Sequence, residues 1–167
     1  MLQGGAQCFP ALGEVIITVA PGGPRTPPAA YCVMEHERKH RSQMEGCCLA
    51  AHKCRETSKD PDGCDRLYFE WQGANTVCLE CEAYRVTRTC ISYYWHKLGC
   101  EWGPDRPPHL WPAPWECSPW CKDLGLQMKW SVTYMSHIWY RCPWPPVPVG
   151  ECPFNEDGSK KPWATTY

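Results

Sequence analysis

The chain has 167 residues, including 14 cysteines, 18 prolines and 10 tryptophans, and its 17 basic residues nearly balance 18 acidic ones. A net charge of −1 argues against a nucleic-acid binder, and no apolar run approaches the roughly 20 residues that span a bilayer. Cysteine makes up about 8% of the chain, near the level of disulfide-stabilised scaffolds. Since cytosolic thiols stay reduced, we expect a secreted or periplasmic protein with up to seven disulfides and no membrane span.

The first predicted elements are a strand, a loop and a helix. Residues 14–20 are rich in β-branched side chains between Pro/Gly segments, which indicates a strand. Residues 21–28 contain four prolines and two glycines and are predicted to be a loop. Residues 29–45 lack both residue types and precede Gly46, so we predict a helix that ends there.

A polar turn is predicted at 55–66 and a second helix at 76–97. Twelve of the 18 prolines and eight of the 10 tryptophans follow residue 100. Within that part, 126–141 has apolar residues of one parity, which predicts a strand or hairpin. We therefore divide the chain into a core, 1–100, and a Pro/Trp/Cys-rich extension, 101–167, that packs on the core and does not fold independently.

The first helix contains the pattern H-E-x-x-H at residues 36–40. His36 and His40 are four residues apart, so both imidazoles lie on one helix face, where they can bind one zinc ion. Glu37 lies beside them and can accept a proton from a metal-bound water. This composition gives only about 0.015 chance matches to the pattern, although a solvated, charged helix face remains the alternative.

A catalytic zinc needs a third protein ligand and an open position. On the second helix Glu80 and Ala83 share a face, and the small Ala83 permits close helix packing. Glu82 points about 200° away from Glu80, which suits a solvated residue or an outer partner of the ligands. Glu80 is the favoured third ligand, with Glu82 left as the alternative.

Together, His-Glu-x-x-His and a later Glu-x-x-Ala resemble the gluzincin arrangement of zincin metallopeptidases. Cys32 before the first motif and Cys81 within the second make residues 14–95 similar to cysteine-bearing zincin-like domains of exported bacterial proteins, including polymorphic toxins. The resemblance implies that His36, His40 and Glu80 are Zn²⁺ ligands, that Glu37 is the general base and that strand 14–20 lies at the cleft edge.

The implied fold class is α+β. It comprises a small disulfide-rich zincin-like core, in which two helices carry the metal site beside a short edge strand, with a Pro/Trp-rich loop and a β extension.

The implied activity is that of a secreted zinc-dependent peptidase-like hydrolase acting on a peptide or protein substrate. Whether an inhibitor or immunity protein covers the cleft stays open. Besides zinc, the oxyanion of amide hydrolysis needs a hydrogen-bond donor. Tyr84, about one turn beyond Glu80, is favoured among five candidates: Tyr84, His96, His109, Tyr134 and His137.

Three other motifs suggest different chemistry. Residues 47–54 share the cysteine spacing of secreted phospholipases but lack their His-Asp pair, so disulfides at the end of the first helix are the better interpretation. Cys32 could join the two histidines in a structural zinc site, and Cys78 and Cys81 form a lone C-x-x-C. For Cys32 and for the C-x-x-C pair, disulfides are preferred over zinc binding.

The alternative functions are a disulfide-rich binding module without catalysis and a zinc amidase acting on cell-wall peptides. Tryptophans in the proline-rich loops could stack on a saccharide or peptide, although filling a loop-rich core is the preferred role. The tryptophans concerned are Trp102, Trp111, Trp115 and Trp120.

Overall fold

In the part of the chain that the structure describes, a β-hairpin packs with three helices, so the predicted α+β class is confirmed. The computed structural model describes residues 4–19, 26–100, 119–139 and 148–165. Its strands are β1 (Gly4–Phe9) and β2 (Glu14–Val19), and its helices are α1 (Pro27–Thr57), α2 (Pro61–Lys97) and α3 (Pro119–Trp139). A short 3-10 helix, Pro162–Thr165, follows near the end.

The hairpin pairs β1 with β2 in antiparallel register, from Gly4 opposite Val19 to Phe9 opposite Glu14. β2 confirms the predicted strand, whereas β1 was not predicted because its glycines and glutamine are poor strand formers. Gly13 has a positive φ of 69° in the connecting turn, where its amide donates to the Phe9 carbonyl. The hairpin packs on α1.

Helix α1 is longer than predicted, because it continues through Gly46 to Thr57. An exposed glycine inside a helix costs only about 1 kcal/mol. The following turns bury Cys47, Cys48, Ala51 and Cys54 in the core, and this burial outweighs that cost. The predicted end of the helix at Gly46 is therefore wrong.

Helix α2 begins at Pro61, so the predicted turn 55–66 shrinks to a few residues and the predicted helix 76–97 gains four turns at its start. Asp60 is the N-cap, and its carboxylate accepts a hydrogen bond from the amide of Gly63. Proline in the first helical turn is compatible with this start. The Asp-Pro-Asp-Gly segment thus begins a helix as well as ending a turn.

Helices α1 and α2 run antiparallel, because Cys54 pairs with Cys64 at one end and Cys32 with Cys90 at the other. Two apolar clusters fill their interface. The first surrounds Met44, Tyr68 and Leu79, and the second surrounds Ile91 and Leu124. Along both helices, residues 36–40 and 80–87 lie between these clusters.

Disulfides link all parts of the described chain and fit an oxidising compartment. The described pairs are Cys8–Cys48, Cys32–Cys90, Cys47–Cys152, Cys54–Cys64 and Cys100–Cys121. Cys81 is also disulfide-bonded, whereas Cys78 has a free thiol. The disulfide framework is thus confirmed, although Cys78 departs from complete pairing.

The strand or hairpin predicted at 126–141 is wrong, because α3 covers this segment to Trp139. Cys121, Leu124, Gln127 and Ser131 are buried, and their spacing of three to four residues is helical. The shared parity of the apolar residues was a misleading signal, because the segment is helical. Within the described ranges, no helix has both the length and the apolarity to cross a membrane.

Residues from the predicted extension contact the core. Phe154 belongs to the first apolar cluster, and Leu124 of α3 belongs to the second. Asp123 accepts hydrogen bonds from the amide and the hydroxyl of Thr26, just before α1. The division at residue 100 stays a prediction.

Continuity of α1 through Gly46 predicts that Gly46→Ala raises the free energy of unfolding by about 0.5–1 kcal/mol. An added Cβ there meets no atom within 4 Å. Gly158→Ala is the opposite control, because Gly158 has φ 88° and its Cβ would lie 2.6 Å from the Cys54 nitrogen. Urea denaturation with the disulfides intact measures both changes. Destabilisation by Gly46→Ala would contradict a continuous helix.

Candidate metal centre

The two motif histidines lie on the face of α1 that packs against α2, and both are buried. They share the helical stripe that carries Cys32 before them and Met44 after them, which explains why the chain turns them inward. Their Nε2 atoms are 3.0 Å apart. The two Nε2 atoms of α1 therefore lie side by side at the interface with α2.

Helix α2 brings a carboxylate to the same point. The Glu80 carboxylate oxygens lie 3.6 Å from Nε2 of His36 and 3.6 Å from Nε2 of His40. Donor atoms around a tetrahedral zinc with bonds of roughly 2.0–2.1 Å lie about 3.3 Å apart. His36, His40 and Glu80 thus form a cluster that could hold a metal ion.

Glu80 is the negative member of this cluster. Burial alone would raise its pKa, but the adjacent imidazoles of His36 and His40 outweigh burial and lower the pKa to about 2. The carboxylate is therefore ionised at neutral pH. Its side chain is 28% exposed, against 5% for His36 and 10% for His40, so the cluster opens to solvent on the Glu80 side.

Glu37, next to His36 in α1, is also buried, with 3% of its surface exposed. Burial raises the pKa of its carboxyl group, an effect that His36 and His40 oppose and Glu80 reinforces. The backbone of Ala6 in β1 partly offsets this rise of the pKa, and Gly4 of β1 lies against the Glu37 side chain. Strand β1 therefore covers the candidate base.

Glu82, the alternative third ligand, is engaged elsewhere. Its carboxylate lies 2.9 Å from Lys39 Nζ and accepts a hydrogen bond of 3.0 Å from Gln43. Burial raises the pKa of Glu82, but these contacts outweigh it and the pKa falls below its ordinary value. The same ion pair gives a partner to the charge of Lys39, which occupies one of the two variable positions of the H-E-x-x-H pattern.

The candidate oxyanion donors differ in position. The ring of Tyr84 is buried and packs edge-on against His36, with centroids 4.7 Å apart. His96 is exposed near the end of α2, about 24 Å along the helix from Glu80. Tyr134 and His137 belong to α3 with side chains outside the described part of the structure, and His109 lies outside the described residues.

The competing motifs have structural roles. Cys32 and Cys81 are disulfide-bonded, so neither offers a thiolate for zinc. In the phospholipase-like segment, Cys47 and Cys48 anchor α1 through disulfides to Cys152 and Cys8. His52 of that segment makes a 3.0 Å hydrogen bond to the Pro10 carbonyl of the hairpin turn. Of the loop tryptophans, Trp120 lies at the start of α3, and the other three fall outside the described residues.

Sequence reasoning missed two groups that touch the site. The hydroxyl of Thr87 lies 3.0 Å from Nδ1 of His36, and Gly4 of β1 lies against the Glu37 side chain. Thr87 is seven residues after Glu80 and thus two turns along the same face, a spacing that could have identified it. No sequence signal links Gly4 to Glu37, which is more than 30 residues further along the chain.

The chain matches no protein-family model, no curated protein and no solved structure. The resemblance to zincins therefore stays a prediction from the residues of the two motifs.

The close approach of β1 predicts that Gly4→Ala lowers the free energy of unfolding by about 1–3 kcal/mol, as overpacking a filled site does. A Cβ on Gly4 would lie 2.7 Å from Oε1 of Glu37. The matched control is Gly5→Ala, whose Cβ would meet Thr18 Oγ1 at an ordinary 3.6 Å. Equal unfolding free energies for the two variants in urea denaturation would show that β1 does not press on Glu37.

Proposed function

We propose that the protein is a secreted or periplasmic zinc-dependent peptidase-like hydrolase, in which His36, His40 and Glu80 bind Zn²⁺ and Glu37 is the general base. The observation that carries the proposal is the convergence of two Nε2 atoms and one carboxylate within 3.0–3.6 Å at the helix interface. The similarity of both motifs to gluzincins supports the same assignment.

The donor set favours zinc over the hard cations. Two imidazoles and one carboxylate form a common ligand set for catalytic zinc, whereas Mg²⁺ and Ca²⁺ prefer oxygen ligands. Three protein ligands leave a fourth position for water or substrate. The exposed side of Glu80 gives a route from solvent to that position.

A bound zinc would lower the pKa of a coordinated water to near 7 and polarise the scissile carbonyl. Glu37 would accept the proton of that water and later deliver it to the leaving amine. Burial raises the pKa of Glu37 and so makes its carboxylate a stronger base.

Tyr84 is the proposed oxyanion donor, because its ring contacts His36 and a tyrosine hydroxyl can donate a hydrogen bond. The proposed substrate is a peptide or protein. A cell-wall amidase would use the same residues and differ in substrate alone. A binding module without catalysis would not need the metal, so metal content separates it from both hydrolases.

The metal assignment predicts that wild-type protein holds about one zinc per chain and that Glu80→Gln loses it. Loss of this ligand should weaken zinc binding by more than the roughly 10–100-fold that outer-shell changes cause. Glu82→Gln is the matched control, because Glu82 bonds Lys39 and Gln43 instead of the histidines. Elemental analysis and chelator competition measure both. A wild-type protein without bound zinc would reject the proposal.

The base assignment predicts that Glu37→Gln keeps zinc while peptide hydrolysis falls by roughly 10²–10⁴-fold, the usual contribution of general acid–base catalysis. Cleavage of a mixed peptide library, followed by mass spectrometry, measures the change. Zinc content of the variant is the control for an intact site. Full activity of zinc-loaded Glu37→Gln would remove Glu37 from the mechanism.

A further inference from the structure

The described interior contains a threonine whose hydroxyl faces a candidate ligand. Thr87 is 1% exposed, and its Oγ1 lies 3.0 Å from Nδ1 of His36 and 3.1 Å from the carbonyl oxygen of Ala83. Ala83 is one turn before Thr87 on α2. The hydroxyl is therefore shared between the imidazole of one helix and the backbone of the other.

A hydroxyl has one proton and two acceptor lone pairs, so these two contacts cannot both take the proton. The Ala83 carbonyl oxygen can only accept a hydrogen bond, so the Thr87 hydroxyl donates its proton to that oxygen. The lone pairs of Oγ1 then accept from Nδ1–H of His36. In neutral imidazole this leaves the lone pair on Nε2, the atom that faces His40 and Glu80.

We propose that Thr87 is a positioning residue, which holds His36 as the Nδ1–H tautomer with the Nε2 lone pair directed at the metal position. This role rests on the proposed zinc site. A hydrogen bond to the second ring nitrogen commonly orients a metal-bound histidine, and its loss weakens metal binding. Here a buried hydroxyl supplies that bond.

The surrounding structure holds this contact in register. Thr87 is two helical turns from Glu80, so the same α2 face presents both the third ligand and the partner of the first ligand. The Cys32–Cys90 disulfide joins the helices one turn before His36 and one turn after Thr87. Ala83 of α2 is fully buried, and its small side chain permits the close approach of α1 and α2.

The test compares Thr87→Val, which keeps the shape but removes the hydroxyl, with Thr87→Ser, which keeps the hydroxyl. Thr76→Val is the matched control, because Thr76 makes the same type of bond, 3.0 Å to the Gln72 carbonyl, on an exposed face of α2. All variants are compared with the disulfides intact, and circular dichroism checks that each is folded.

The first measurement uses metal-free, ¹⁵N-labelled protein at about pH 8, above the ordinary pKa of imidazole. Long-range ¹H–¹⁵N spectra distinguish a protonated from an unprotonated ring nitrogen. We expect Nδ1 of His36 to be protonated in wild type, Thr87→Ser and Thr76→Val. In Thr87→Val the Nε2–H tautomer should become populated.

The second measurement is zinc affinity by competition with a chelator. Thr87→Val should bind zinc roughly 10–100-fold more weakly, and Thr87→Ser and Thr76→Val should bind like wild type. Unchanged tautomer and affinity in Thr87→Val would overturn the role of Thr87, while zinc binding by wild type would leave the proposed function standing. A changed tautomer with unchanged affinity would also overturn it. Failure of wild type to bind zinc would instead reject the proposed function, and the tautomer comparison would still decide whether Thr87 orients His36.

Discussion

The interaction on which the centre depends is the contact of Glu80 with His36 and His40 across the α1–α2 interface. It places an ionised carboxylate and two imidazoles between two apolar clusters, where unpaired polar groups are expensive. The mutual contacts of the three groups offset part of that expense. A bound cation would offset more, because three electron-pair donors point at one position.

Disulfides let this helix pair tolerate a polar centre. Cys54–Cys64 closes one end of the α1–α2 hairpin and Cys32–Cys90 the other, so both helix ends are covalently joined on either side of the histidines. The disulfides therefore stabilise an interface whose middle contains polar residues in place of apolar ones. Cys8–Cys48 joins β1 of the hairpin to α1 in the same way.

Local patterns in the sequence predicted the cluster of three side chains, but they misplaced helix ends and one strand around it. The i, i+4 spacing of His36 and His40 and the helical position of Glu80 predicted that these side chains meet, and they form one cluster. The strand predicted at 126–141 was wrong because alternating apolar residues also occur on helices. The helix end predicted at Gly46 was wrong because burial of the residues that follow stabilises a helix that continues through a glycine. The contacts of β1 with Glu37 and of Thr87 with His36 depend on tertiary packing, which periodicity does not report.

The proposed mechanism uses the two carboxylates of the centre differently. The Glu80 side chain is 28% exposed, whereas Glu37 is 3% exposed and lies against Gly4 of β1. In the proposed mechanism a substrate therefore approaches past Glu80, and Glu37 is a base shielded from water. Exclusion of water would strengthen the electrostatic contacts of that base. Because Cys8–Cys48 joins β1 to α1, the strand that covers Glu37 is covalently tied to the helix that carries it.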